Sequence, residues 1–182
     1  MTAAARVENA CKVYGQGDAA VCALDDMTVA FEKGGFAAIM GPSGSGKSTL
    51  LHCIAGLDTL SSGSAYIGEV RLGDLNDRAL TLLRREKVGF VFQAFNLIPT
   101  LDAAENITLP LDIAGAEVDR GWFDMVVDTV GLRDRLSHRP SELSGGQVQR
   151  VAAARALISR PEIVFADEPS GNLDSKASDE LM

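Results

Sequence analysis

The chain has 182 residues, enough for one domain that buries roughly 70% of the surface of its unfolded chain. Its formal net charge of −8 disfavours a nucleic-acid-binding protein, because such proteins usually carry a basic patch. The three cysteines have neither zinc-site nor CxxC spacing, and we expect free thiols in a reducing cytosol. The sequence predicts no signal peptide and no transmembrane segment, so any membrane association must come through a partner.

Predicted strands alternate with predicted helices along the chain. Residues 4–14 and 26–32 alternate in hydropathy, which indicates an N-terminal antiparallel β region. Continuous apolar runs indicate buried strands and are found at 36–40, 87–93 and 162–168. Helices are predicted at 47–55, 77–88 and from Ser144 onward. This alternation indicates an α/β core of mainly parallel strands flanked by helices.

The stretch between the second and third apolar runs is mostly helical in pattern. It covers about 96–145 and is interrupted by Pro99, Pro110 and Gly131. We expect it to form a helical lobe inserted in the core of a single domain, 1–182.

The segment "GPSGSGKS" at 41–48 matches the phosphate-loop pattern GxxxxGK[ST] and lies between an apolar run and a helix. Its glycines allow a tight turn whose N–H groups point at phosphate oxygens, and the following helix adds the positive end of its dipole. Lys47 can reach the β- and γ-phosphates, and Ser48 can bind Mg²⁺. The alternative is a glycine-rich turn without a ligand. The candidate nucleotide-binding residues here are Gly41, Pro42, Ser43, Gly44, Ser45, Gly46, Lys47, Ser48 and Thr49.

The segment "LSGGQVQR" at 143–150 indicates a second anion site. Ser144 is a good N-cap, and Gly145 and Gly146 leave the first amides of the helix open. By itself this pattern fits an ordinary capped helix equally well. Together with the phosphate loop and the acidic strand end at 167–168, it resembles the nucleotide-binding domain of ABC transporters, a P-loop NTPase family with the signature LSGGQ. The resemblance covers nearly all 182 residues.

The resemblance implies a site shared between two subunits. Ser144, Gly145, Gly146 and Gln147 would contact the γ-phosphate of an ATP held by the partner's phosphate loop. The subunits would form a head-to-tail homodimer or pseudo-dimer that encloses two ATP molecules. Tyr14 is at the position of the aromatic residue that stacks on adenine, although it could simply pack.

The catalytic residues implied by the resemblance, apart from Lys47, lie at the ends of two of the predicted strands. Asp167 would hold Mg²⁺, and Glu168 would act as general base toward the attacking water. Gln93, at the Q-loop position, would ligate Mg²⁺ and sense the γ-phosphate, and Lys47 would assist catalysis. Taken alone, the two carboxylates could be surface acids and Gln93 an exposed loop residue.

The segment "FQAFNLIPTLDAAENITLPL" resembles the branch of the family that serves lipoprotein release, macrolide export and cell division. The resemblance implies a groove for a transmembrane permease, which would hold the protein at the cytoplasmic face of the membrane. Phe95, Leu97 and Ile98 suit such a groove, or ordinary packing. The loop Ser170–Asp174 resembles the family's D-loop at the dimer interface, although Asp174 could also cap the next helix.

The printed sequence ends before the histidine loop of the family, and "SKASDELM" has the pattern of a helix start. We therefore expect a partial or truncated form, and two functions follow. The first is the ATP-hydrolysing subunit of a transporter. The second is a nucleotide-binding or force-transmitting module with little hydrolysis. Soluble relatives in DNA repair or translation are a weaker third possibility.

Overall fold

A computed structural model describes residues 3–168 of the protein. The chain divides into two compact units, Met1–Lys87 and Val88–Met182. The D-loop and the helix predicted from Ser175 lie outside the described residues. No helix in the described range is long and apolar enough to span a bilayer.

The first unit is built on an antiparallel sheet with the strand order β2-β1-β3-β4. Its strands and helices are β1 (Ala3–Tyr14), β2 (Val21–Glu32), α1 (Lys47–Ile54), β3 (Ser62–Ile67), β4 (Val70–Arg71) and α2 (Asp77–Lys87). The long strand β1 is central, since Val7 lies opposite Val29 of β2 and Ala65 of β3 and is fully buried. The predicted antiparallel β region is therefore confirmed.

Helix α1 contributes Leu50, Cys53 and Ile54 to the buried interior of this unit. It begins at Lys47, as predicted, and ends at Ile54, two residues before Gly56. The spacing of the three buried residues gives α1 one apolar face, which fixes the orientation of its first turn. The phosphate-loop segment that precedes this turn is thereby anchored at its C-terminal end.

The apolar run 36–40 does not form the predicted strand. It pairs with no strand among residues 3–168, and the side chains of Phe36 and Met40 are 81% and 88% exposed. A strand depends on hydrogen bonds to a neighbour, and an apolar run depends on cover for its side chains. The described part of the chain provides this run with neither, so the prediction of a buried strand here is wrong.

The second unit combines a parallel pair of strands with three α-helices in its described part. These elements are β5 (Val88–Val91), α3 (Ala103–Ala114), α4 (Arg120–Thr129), α5 (Gly145–Leu157) and β6 (Ile163–Ala166). Val88 lies opposite Ile163 and Val91 opposite Ala166, which confirms parallel pairing in the core. The helices share a core in which Ile107, Val127 and Val151 are fully buried.

Two details of this unit differ from the sequence-based expectation. Only Phe165 of β6 is buried, and Val164 is 40% exposed, because β6 has no strand neighbour other than β5 among the described residues. Pro110 does not interrupt the helical structure but lies inside α3. The Asp102 capping box and the burial of Ile107 stabilise α3 against the loss of about 3 kcal/mol that an interior proline causes. The inserted lobe at 96–145 stays a prediction.

Candidate nucleotide-binding and hydrolysis site

The phosphate loop turns closely around its own lysine. The ammonium of Lys47 donates to the carbonyl oxygens of Gly41 at 3.0 Å and of Pro42 at 2.8 Å. Gly46 caps α1 with a φ of 86°, and a Cβ at this position would lie 2.2 Å from the carbonyl oxygen of Ala23 in β2. The loop therefore packs against β2 where only glycine fits, and it holds a positive charge at the start of a helix.

This arrangement fits a triphosphate. Residues 41–45 are exposed, and they precede the N-terminus of α1, where the first amides of an α-helix are available to bind an anion. The dipole of α1 and the Lys47 ammonium are both positive here. Amides, dipole and lysine together can neutralise and orient phosphate oxygens.

Tyr14 ends β1 and is tied to α1 through Asp58. Its hydroxyl donates to Oδ2 of Asp58 at 2.7 Å, and the amide of Asp58 donates to the carbonyl of His52 in α1. The ammonium of Lys12 lies 4.8 Å from the centre of the Tyr14 ring. The ring is thereby held beside the helix that follows the phosphate loop, with 41% of the residue exposed. Asp58 and Lys12 belong to none of the sequence motifs.

The signature segment forms a capping box at the start of α5. The amide of Gln147 donates to Oγ of Ser144 at 3.3 Å, and Oε1 of Gln147 accepts from the amide of Ser144 at 2.9 Å. A Cβ at Gly145 would meet no atom within 4 Å, so the space before the helix start is open. Gly146 follows in the first turn. The Ser144 N-cap is confirmed, and its two hydrogen bonds with Gln147 fix the first turn of α5, which contains both glycines.

Gln93 and Glu168 meet at the carboxyl ends of the parallel strands β5 and β6. Nε2 of Gln93 donates to Oε2 of Glu168 at 2.7 Å. Glu168 has a φ of 46°, in the left-handed region that non-glycine residues rarely occupy and that costs roughly 1–3 kcal/mol. Asp167 is buried, and its amide donates to the carbonyl of Val91 at 3.0 Å. Two adjacent carboxylates are thus placed differently, one buried and one exposed beside an amide.

A residue of α5 that sequence reasoning missed holds the chain just after Gln93. Phe95 and Asn96 have φ values of 58° and 48°, again in the left-handed region. The guanidinium of Arg155 donates to the carbonyl of Phe95 at 2.6 Å and to that of Asn96 at 2.7 Å. Burial lowers the pKa of Arg155, which nevertheless stays charged. Two hydrogen bonds from the planar, charged guanidinium therefore stabilise a strained turn at Phe95 and Asn96.

The side chains expected to bind Mg²⁺ would all do so through oxygen atoms. Ser48 belongs to the first unit, and Gln93 and Asp167 belong to the second. Within residues 3–168 no group of three or more His, Cys, Asp or Glu side chains is placed to hold a metal ion. One carboxylate with neutral oxygen donors suits Mg²⁺ that binds together with substrate phosphates, rather than in a protein cage.

The fold and these motifs define an ATP-binding cassette. The family model described as "ABC transporter" matches residues 24–171, and the chain belongs to this family. The resemblance found in the motifs, including the macrolide-export and lipoprotein-release branch, is confirmed. Proteins of this family bind ATP and in general hydrolyse it.

Two relatives illustrate how much of a longer protein the chain covers. It is 48% identical over 177 residues to the uncharacterized ABC transporter ATP-binding protein MJ1508 of Methanocaldococcus jannaschii, covering 96% of the chain and 79% of the relative. It is 47% identical over 171 residues to the macrolide export ATP-binding/permease protein MacB of Bdellovibrio bacteriovorus. That alignment covers 94% of the chain but only 26% of MacB.

A solved structure has the same fold. It is the dimeric post-hydrolysis state of the ATP-binding cassette MJ0796 bound to ADP and Pi, with 43% identity and a TM-score of 0.88. The match covers 97% of this chain and 79% of that one. The predicted α/β fold class is therefore confirmed.

Proposed function

We propose that this chain is the ATP-binding and ATP-hydrolysing subunit of a membrane transporter of the export or lipoprotein-release type. The observation that carries the proposal is the phosphate loop, with the Lys47 ammonium on the carbonyls of Gly41 and Pro42 and the start of α1 behind it. Its amides would bind the phosphates of ATP, and Tyr14 would stack on the base.

Hydrolysis would take place at the carboxyl ends of β5 and β6. Glu168 would accept a proton from the attacking water, and the Gln93 amide bonded to it would orient this carboxylate. Ser48, Gln93 and Asp167 would hold Mg²⁺, which neutralises charge on the β- and γ-phosphates. The buried Asp167 is suited to a fixed ligand and the exposed Glu168 to proton transfer.

The working unit would be a dimer beside a permease at the cytoplasmic face of the membrane. The open glycine amides at the start of α5 would complete the phosphate site of the partner subunit, so that ATP closes the dimer. The dimeric state of the MJ0796 cassette and the ATP-binding/permease name of MacB support this arrangement.

The binding half of the proposal is tested by Lys47→Ala, with Lys33→Ala as the matched control. Lys33 is an exposed lysine in the turn after β2. We expect Lys47→Ala to weaken ATP binding, measured by isothermal titration calorimetry, by about tenfold or more, because it removes a charged donor to phosphate. Lys33→Ala should bind as the parent chain does. Normal binding by Lys47→Ala would refute the phosphate-loop assignment.

The hydrolysis half is tested by Glu168→Gln, with the exposed Glu117→Gln as its control. Loss of a general base should lower phosphate release by about 10²- to 10⁴-fold while ATP binding persists. Light scattering should then show an ATP-dependent dimer. Unchanged hydrolysis would remove Glu168 from the role of base. Binding without hydrolysis in the parent chain would favour the force-transmitting alternative.

A further inference from the structure

The orientation of Tyr14 depends on a residue that lies outside the sequence motifs. Tyr14 is 41% exposed, so packing alone leaves its ring free to take other rotamers. Its hydroxyl is fixed at 2.7 Å from Oδ2 of Asp58. The Thr49 side chain, in the first turn of α1, also acts on this hydroxyl and opposes the rise of its pKa. The ring is therefore anchored at its tip.

Asp58 is itself held firmly. Its amide donates to the carbonyl of His52 in α1 at 3.2 Å, and its Oδ1 accepts from the Lys12 ammonium at 2.7 Å. Lys12 is a buried lysine that also donates to the carbonyl of Thr59 at 2.6 Å. Asp58 thus contacts α1 through its backbone amide, and its carboxylate binds two side chains of β1, the Lys12 ammonium and the Tyr14 hydroxyl.

We propose that Asp58 is a positioning residue for nucleotide binding, which holds the Tyr14 ring in the orientation that stacks on the base. The inference rests on the proposed function, in which Tyr14 contacts the base. The Lys12 ammonium lies over the ring, 4.8 Å from its centre, and so occupies one side of it. The exposed remainder of the ring is the surface left for a base, and Asp58 determines where this surface points.

The protonation states agree with this geometry. Burial raises the pKa of Tyr14, and the hydrogen bond to Asp58 raises it further, so the hydroxyl is a donor at neutral pH. Burial acts to raise the pKa of Asp58, but hydrogen bonds from Lys12 and Tyr14 keep it below its usual value. An ionised acceptor and a protonated donor make the stronger, charge-assisted type of hydrogen bond.

The decisive test compares Tyr14→Phe with Tyr14→Ala in the full chain. Tyr14→Phe keeps the ring and the Lys12–Asp58 pair and removes only the anchoring hydroxyl. Each variant is titrated calorimetrically with ATP and with inorganic triphosphate, which has phosphates but no base. We expect Tyr14→Phe to weaken ATP about three- to tenfold and Tyr14→Ala about tenfold or more, with the affinity for inorganic triphosphate unchanged in both.

A double-mutant cycle then assigns the effect to Asp58. Asp58→Ala should weaken ATP about as much as Tyr14→Phe, and the double variant should be no weaker than Asp58→Ala alone, because both changes remove the same hydrogen bond. Asp58→Ala by itself leaves the buried Lys12 ammonium without its carboxylate partner. The variant that combines Asp58→Ala with Lys12→Met therefore serves as a second test, because it contains no buried unpaired charge.

The outcomes separate this inference from the proposed function. If Tyr14→Ala weakens ATP and Tyr14→Phe does not, the positioning role of Asp58 is overturned and base stacking stands. If Tyr14→Phe weakens ATP and inorganic triphosphate equally, the effect is structural and the positioning role is again overturned. If Tyr14→Ala leaves ATP affinity unchanged, base stacking by Tyr14 fails as well, while the Lys47→Ala titration still tests the phosphate loop.

Discussion

Gly46 is the position where the structure constrains the phosphate loop most tightly, and Gly44 provides a matched comparison. Both glycines have left-handed backbones, with φ values of 86° and 78°. A Cβ at Gly44 would meet no atom within 4 Å, whereas one at Gly46 would lie 2.2 Å from the Ala23 carbonyl oxygen. The two alanine variants therefore share the conformational cost and differ in the steric one.

The difference can be estimated from these distances. A left-handed alanine costs about 1–2 kcal/mol at either position. At Gly46 the backbone of β2 must also move by about 0.8 Å for the contact to reach 3.0 Å, the shortest distance that real Cβ atoms tolerate. Overpacking of this kind costs about 1–3 kcal/mol. We therefore expect Gly46→Ala to be about 2 kcal/mol less stable than Gly44→Ala.

Thermal unfolding followed by far-UV circular dichroism measures this difference. For a chain of this size, 2 kcal/mol corresponds to a midpoint lower by about 4–8 °C. The measurement is made without nucleotide, so that loss of binding does not contribute. Equal midpoints for the two variants would refute the reasoning, because they would show that the close approach of Gly46 to β2 adds no cost to the alanine substitution.

Three further predictions concern side chains that hold the two units in shape. Arg155→Met should lower the free energy of unfolding, measured by urea denaturation, by about 2–3 kcal/mol, because two backbone carbonyls lose a charged donor. Arg155→Lys should recover part of this loss. Equal losses for the two variants would contradict the role of the guanidinium in binding both carbonyls. Ser144→Ala should cost about 1 kcal/mol in the same assay by removing the N-cap acceptor, and an unchanged midpoint would argue against the capping box. The lowered pKa of Asp58 means that its carboxylate stabilises the fold above the usual aspartate pKa and loses this effect as the pH falls through the lower folded value. The stability difference between the parent chain and Asp58→Asn should therefore shrink below about pH 4, and a constant difference between about pH 3 and 7 would count against it.

Features with a local physical cause could be predicted from the sequence. Ser144 caps α5 because a hydroxyl before a helix accepts an orphan amide, and this requires only residues 144–147. The phosphate loop is encoded in eight consecutive residues, and α1 begins at Lys47 as its pattern indicates. The alternation of apolar and polar residues in β1 likewise predicts a strand with one buried face.

Features that depend on distant partners could not be predicted. An apolar run such as 36–40 is compatible with a strand, but pairing and burial are decided by other segments. The bond between Lys12 and Asp58 joins residues 46 positions apart, and that between Arg155 and Asn96 joins residues 59 positions apart. No local pattern identifies either pair, since Lys, Arg and Asp are most often solvated surface residues.

Helix α5 connects the signature segment with the proposed hydrolysis residues inside the second unit. Ser144 caps its first turn, and Arg155, in its last turn, donates to the carbonyls of Phe95 and Asn96. These carbonyls lie two and three residues after Gln93, whose amide contacts Glu168. A displacement of α5 must therefore either carry this turn with it or break two charged hydrogen bonds. The segment closest to Gln93 is thus sensitive to the position of the signature helix through the two hydrogen bonds of Arg155.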